Sequence, residues 1–209
     1  MRPIFCFQKY TLSLFLPLFL WGVQANANQP VESFLWKASA AATAALIATT
    51  NPIQADRMSM ELGGGEHVYV IRVGAEWDWN DNLMTLFGWN LSTYWQLDFS
   101  KWQSTRDASQ DGANVTVGLT PMFRFTEEKG YFQPYLDLGV GIYLFTVSRL
   151  EDHEFGSNFQ FSDLFGVGMR FGKRHQWSLG YKFQHYSNGS VRVPNHGINF
   201  NFLTLSYKY

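Results

Sequence analysis

Near the carboxyl end, His185 and Ser187 stand two residues apart in the run Gln184-His185-Tyr186-Ser187-Asn188-Gly189. A serine hydroxyl is a weak nucleophile until a base takes its proton, and imidazole is the usual base. On an extended strand, residues i and i+2 share a face with Cα atoms ~6.5–7 Å apart. At that separation a histidine nitrogen can reach a serine oxygen, and the chemistry such a pair supports is acyl transfer or ester hydrolysis. The competing reading is that both residues mark where a strand leaves a membrane at the headgroup level. H-x-S is a weak motif, and on spacing alone the second reading is the default. No nucleotide-binding loop and no metal-ligand spacing accompanies the pair, so no cofactor and no metal is expected. The charges Glu151, Asp152, His153 and Glu154 read as a solvated run rather than a cation site.

The elements that would carry these residues are strands. Alternation with period two runs through most of the chain after residue 55. In 69–79, Tyr69, Ile71, Val73, Ala75, Trp77 and Trp79 alternate with Arg72, Gly74, Glu76 and Asp78. The same pattern recurs in 89–99 and 115–125, and in opposite phase in 135–144, where Leu136, Leu138, Val140, Ile142 and Leu144 oppose Asp137, Gly139 and Gly141. It returns in 165–171, 177–187 and a last run ending Leu203, Leu205, Tyr207, Tyr209. With a short strand around Met58–Leu62, the total is eight, joined by turns as an antiparallel meander. His185 and Ser187 continue the apolar series Trp177, Leu179, Tyr181, Phe183.

A soluble sandwich or lipocalin-like barrel also alternates. Here the apolar face is long, while the other face mixes glycine pairs (Gly139/Gly141, Gly166/Gly168) with charges of both signs: Arg72, Glu76, Asp98, Arg124, Asp137, Arg170 and Lys182. Inside a narrow barrel, glycines make room for large neighbours and such charges pair. The apolar set then faces lipid, with Trp and Tyr at strand ends as interfacial girdles. The expected fold is therefore all-β, an eight-stranded antiparallel transmembrane β-barrel of the bacterial outer membrane, ending on an aromatic residue, Tyr209. Eight strands leave an interior filled by side chains, so activity belongs to the outer wall or the loops rather than to a pore.

Composition agrees. Of 209 residues, 18% are aromatic and 16% charged, and the net charge is −1. That excludes disorder and gives no basic surface for nucleic acid. No run of ~20 apolar residues follows residue 55, which excludes a polytopic helical membrane protein. Residues 1–55 read as a signal region. Arg2 and Lys9 precede the apolar stretch 10–23, which ends in Ala25-Asn26-Ala27. A second such pattern runs from Lys37 through 38–50 to Ile53-Gln54-Ala55. Cleavage is expected near 27 or 55, with 56–209 as one barrel domain; the alternative for 38–50 is an amphipathic linker helix. The single cysteine, Cys6, lies in the signal region, so disulfides and a cysteine nucleophile fall away.

The string His185-Tyr186-Ser187-Asn188-Gly189-Ser190-Val191-Arg192-Val193-Pro194-Asn195-His196-Gly197-Ile198 resembles the signature of the lipid A 3-O-deacylase (PagL) family. Matches extend to Arg72–Trp79, Leu91–Trp95 and Pro134–Gly141, so the resemblance covers roughly residues 57–209. It implies an eight-stranded outer-membrane serine esterase that removes the ester-linked acyl chain at position 3 of lipid A without a cofactor. The implied partners are lipopolysaccharide in the bacterial outer membrane and, as an open expectation, a second copy of the chain in a homodimer. By the same resemblance Ser187 is the nucleophile and His185 the general base, with Asn188 and Asn195 forming or supporting the oxyanion hole. The family's third member is a glutamate, and ungapped alignment places Asn199 there. An amide can orient a histidine but supplies no charge. Asn201 is a neighbouring alternative. Asp163 is a candidate substitute carboxylate, against the reading that it is a turn or strand-end residue. Arg192 could meet a lipid A phosphate, against the reading that it is simply solvated. The alternative function is a catalytically weakened or inactive barrel with a structural or adhesive role.

Overall fold

The alternating runs become the wall of a closed barrel in a computed structural model that describes residues 49–106 and 112–209. The strands are β1 (Arg57–Gly65), β2 (Val68–Leu86), β3 (Trp89–Ser104), β4 (Ala113–Glu127), β5 (Gln133–Phe145), β6 (Arg149–Leu150), β7 (His153–Glu154), β8 (Phe159–Phe171), β9 (Trp177–Ser187) and β10 (Ile198–Lys208). Eight close in the order β1-β10-β9-β8-β5-β4-β3-β2, and antiparallel pairing of β1 with β10, from Arg57↔Lys208 to Gly64↔Asn201, completes the ring. β6 and β7 form a separate two-stranded hairpin. The barrel unit spans Gln54–Tyr209. Most of the expected signal region, residues 1–48 with Cys6, lies outside the described residues.

Polarity is inverted relative to a water-soluble protein. Ile71, Val73, Leu138, Val140, Ile142, Leu179, Phe183 and Leu203 are exposed on the outer wall. Arg72, Glu61, Glu76, Asp98, Arg124, Asp137 and Lys182 are buried inside. An unpaired polar group buried there costs about 2–7 kcal/mol, and the charges are accordingly paired. Arg72 Nη1 donates to Glu61 Oε2 at 2.9 Å, and Lys182 Nζ to Glu61 Oε1 at 2.7 Å. Nearer the chain termini, Arg124 makes two bonds to Asp137, at 2.7 and 2.6 Å, and Arg57 meets Glu76 at 2.6 Å. Glycines supply the room that the side chains need. The Tyr135 ring occupies the space that a Cβ on Gly168 or Gly180 would take, and the Tyr143 ring does the same over Gly118.

One stretch of the outward series is covered. Leu91 and Thr93, read as members of the outward series, are buried. They pair with β2 across two register shifts, between Asp78 and Asn80 and between Asn80 and Met84. The extra residues lie on β2, because β3 keeps an unbroken register with β4 from Trp89↔Glu127 to Gln103↔Ala113, and such irregularities are silent in a one-dimensional pattern.

At the barrel end opposite the chain termini, the interior is sealed by aromatic rings. Trp102 packs edge-to-face on Phe145, Tyr186 and Phe200, with centroids 4.7, 5.1 and 4.6 Å apart. Leu150 and Phe155, which bracket β7, are buried in the same cluster. The segment read as a solvated charge run is thus a hairpin anchored by two apolar residues; Asp152 is exposed, while Glu151, His153 and Glu154 are half-buried and Glu151 accepts from the Ser104 hydroxyl.

Candidate active site

β9 carries both chemistry-bearing residues, and its inward side chains fix how they point. Gln184 Oε1 accepts from Arg72 Nη1 at 2.8 Å, Gln184 Nε2 donates to Tyr143 Oη at 3.0 Å, and Arg72 also bonds the Tyr186 hydroxyl. With Gln184 and Tyr186 pinned inside, the period of two sends His185 and Ser187 outward. Both are half-buried on the outer wall.

The sheet register gives His185 its neighbours. Asn199 on β10 lies opposite on one side and Asp163 on β8 on the other. His185 Nδ1 lies 2.8 Å from Asn199 Oδ1. An amide oxygen only accepts, so Nδ1 carries the proton and Nε2 keeps a free lone pair. Asp163 sits inside β8, not at a turn, because β8 begins at Phe159. Among the described residues it makes no side-chain hydrogen bond to the imidazole. The Ser187 hydroxyl makes none to the ring either, although it shares the ring's face. Asn201 is engaged elsewhere, by the Tyr181 hydroxyl.

The connection between β9 and β10 folds over this row. Asn188 is buried, and its Nδ2 donates to Phe155 O at 2.7 Å and to Arg192 O at 2.8 Å. Its backbone N–H donates to Asn195 Oδ1 at 2.9 Å. Both hydrogens of the Asn188 amide are therefore committed to holding the loop, while among the described residues the Asn195 amide nitrogen donates to no partner. Arg192 is exposed, and its carbonyl accepts from the Asn188 amide. Gly197 has φ +60°, and a Cβ there would lie 2.9 Å from His185 Cε1. Glycine thus lets the loop backbone close against the imidazole.

Glu66, which the sequence did not single out, and His153, read there as part of a solvated charge run, complete the surroundings. Glu66 sits in the two-residue turn between β1 and β2, and its Oε1 accepts from both Asn199 N and Asn199 Nδ2 at 3.0 Å. Its other oxygen, Oε2, lies 3.0 Å from His153 Nε2, and His153 Nδ1 lies 2.8 Å from Gly197 O. His196 Nδ1 accepts from Glu154 N at 3.3 Å, and the His196 backbone N–H donates to Glu154 O at 3.1 Å. The β1–β2 turn, the β6–β7 hairpin and the β9–β10 loop thus meet beside His185. Pairings across 133 and 44 residues leave no local signature. The available hint was Glu66-His67 standing between Gly63-Gly64-Gly65 and Val68, where a hairpin turn usually takes Asn-Gly. No group of His, Cys, Asp and Glu suited to hold a metal occurs among the described residues.

Known proteins resemble this chain in sequence and fold. Residues 69–208 match the family model described as lipid A 3-O-deacylase (PagL). Lipid A deacylase PagL of Pseudomonas aeruginosa is 27% identical over 146 residues, covering 69% of this chain and 82% of that protein. Lipid A deacylase PagL of Bordetella bronchiseptica is 27% identical over 185 residues, covering 87% of this chain and 97% of that protein. The crystal structure of the outer membrane enzyme PagL superposes with a TM-score of 0.66 at 25% identity, covering 73% of this chain and 99% of that one. With two-thirds of its length matched by the family model and its barrel matched by the outer-membrane enzyme, this chain belongs to the lipid A 3-O-deacylase (PagL) family.

Proposed function

We propose that this chain hydrolyses the ester that links an acyl chain to position 3 of lipid A, with Ser187 as nucleophile and His185 as general base. The observation that carries this reading is the polar cluster of His185, Ser187 and Asn199, with Asp163 and Asn201 beside them, on an outer wall that is elsewhere largely apolar. Polar groups facing lipid are costly, and a substrate that is itself a membrane lipid accounts for them. Its acyl chain stays in hydrocarbon while its ester meets the serine.

The reaction follows from the donors and acceptors. Ser187 Oγ, rotated toward Nε2, gives its proton to His185 and bonds to the ester carbon. The negative charge on the carbonyl oxygen is met by the uncommitted Asn195 amide, with Asn188 holding the loop that carries it. One such donor is worth ~2.7–4 kcal/mol of transition-state stabilisation. Collapse expels the sugar oxygen, which takes the proton from His185 Nε2. Water, deprotonated by the same nitrogen, then cleaves the acyl-serine and releases the 3-hydroxy fatty acid.

One observation favours a slower enzyme: Asn199 orients the imidazole through Nδ1 without bringing a charge. Expression in a deep-rough enterobacterial host separates the readings. The hydrolase reading expects lipid A to lose the mass of one 3-hydroxyacyl chain with the wild-type protein and to keep it with Ser187→Ala. Unchanged lipid A with both proteins contradicts it.

A further inference from the structure

We infer that Glu66 is the carboxylate of this site, acting on His185 through the side-chain amide of Asn199. The inference rests on the hydrolase reading for its kinetic consequences, but its structural content stands separately.

The geometry forms a continuous chain. His185 Nδ1 meets Asn199 Oδ1 at 2.8 Å, and Asn199 Nδ2 meets Glu66 Oε1 at 3.0 Å. A carboxylate only accepts, so it must face the amide nitrogen. That fixes which end of Asn199 turns to the imidazole. With Oδ1 held toward Nδ1, the ring protonates on Nδ1 and leaves Nε2 as the base on the Ser187 side. An unrestrained amide can turn over and present its nitrogen to Nδ1. The ring would then have to accept there, its proton would move to Nε2, and that tautomer cannot take a proton from Ser187. The carboxylate also draws the amide dipole toward itself, which favours the imidazolium formed during attack. Glu66 is therefore a positioning residue, and His153 Nε2 on Oε2 and Asn199 N on Oε1 hold it in place.

A second observation comes from the backbone. Glu66 and His67 form a two-residue hairpin turn with φ of 52° and 66°. Side chains other than Gly, Asn and Asp are disfavoured there, and residues kept in such conformations concentrate at functional sites. A glutamate at this position brings its carboxylate over the β10 edge. The ionisable groups around His185 are Glu66 from the turn, Asp163 from β8 and, behind Glu66, His153 from β7. Of these, Glu66 is the one hydrogen-bonded to the residue that holds Nδ1.

The test uses the full-length protein in detergent micelles, with histidine labelled with 15N. In Ser187→Ala, above the pH at which the ring deprotonates, His185 should show one tautomer, protonated at Nδ1. Adding Glu66→Gly, which suits the positive-φ turn and so keeps the hairpin foldable, should give mixed tautomers. An unchanged single tautomer overturns the inference, whether or not the protein is an active hydrolase. Kinetics on lipopolysaccharide give an independent readout. Glu66→Gln keeps an acceptor and removes the charge, and Glu66→Gly removes both. The kcat should fall about 10-fold for the first and about 100-fold for the second, with KM little changed. Moving the carboxylate inward, as Glu66→Gln combined with Asn199→Glu, should restore kcat to at least the wild-type value. Equal kcat for the wild type and Glu66→Gly overturns the inference. Failure of the wild-type protein to release fatty acid counts against the hydrolase reading, and the tautomer measurement still decides on Glu66.

Discussion

The imidazole of His185 is held from three directions by residues that have no chemistry of their own: the amide of Asn199, the backbone at Gly197 and its own strand. Gly197 is the most constrained of these, because its φ of +60° and the 2.9 Å from a Cβ to His185 Cε1 act together. Gly197→Ala should therefore displace the ring from the position in which Ser187 Oγ can rotate to reach it. Displacements of about 1 Å cost up to about 100-fold in rate. We expect kcat for lipopolysaccharide deacylation to fall by about 10- to 100-fold while the barrel still folds, measured as initial rates against heat-modifiable electrophoretic mobility. The φ of Gly197 is that of a turn glycine. Its packing against His185 was not legible, because it depends on the loop closing back over β9.

The elements that position the site divide into those visible in the sequence and those that are not. β9 and β10 were legible because Trp177 to Phe183 and Leu203 to Tyr209 alternate without interruption, and the same phase placed His185, Ser187 and Asn199 on one face. β2 was read only to Trp79, because Asn80-Asp81-Asn82 breaks the alternation, yet the strand continues to Leu86 through two register shifts. The β6–β7 hairpin was missed because each strand has two residues, too few for any period. What holds it is burial of Leu150 and Phe155, the latter with its ring centroid 5.2 Å from that of Phe145. Phe155 O is also an acceptor for Asn188 Nδ2 at 2.7 Å, so the hairpin braces the loop behind Ser187. Truncating a buried phenylalanine costs about 3–5 kcal/mol. Phe155→Ala should make the β6–β7 segment the first site of proteolytic nicking and should lower deacylation, while the transmembrane wall stays intact. Limited proteolysis followed by mass spectrometry reads this, and wild-type resistance in the variant would contradict it.

At the scale of the whole molecule, the barrel reverses the usual arrangement, and adjacent residues should differ sharply in their tolerance to change. Arg72 is buried and bonds Glu61, Gln184 and Tyr186, whereas Ile71 beside it is exposed on the outer wall. Arg72→Leu leaves Glu61 with Lys182 alone and should destabilise the barrel by about 3–5 kcal/mol. Ile71→Leu should stay within about 0.5 kcal/mol. Urea-dependent unfolding in detergent micelles measures both. The interior pairing was legible as an excess of charges on one face of the pattern, but which charges meet was not, since Lys182 and Glu61 lie 121 residues apart. The same inversion gives the site its meaning, because a polar row on an apolar wall faces lipid. The most direct test is incubation of the purified protein with lipopolysaccharide in detergent, with mass spectrometry of lipid A and of the released acid. The account predicts release of one 3-hydroxy fatty acid per lipid A by the wild type and none by Ser187→Ala. Equal release by the two proteins, or release by neither, would contradict it.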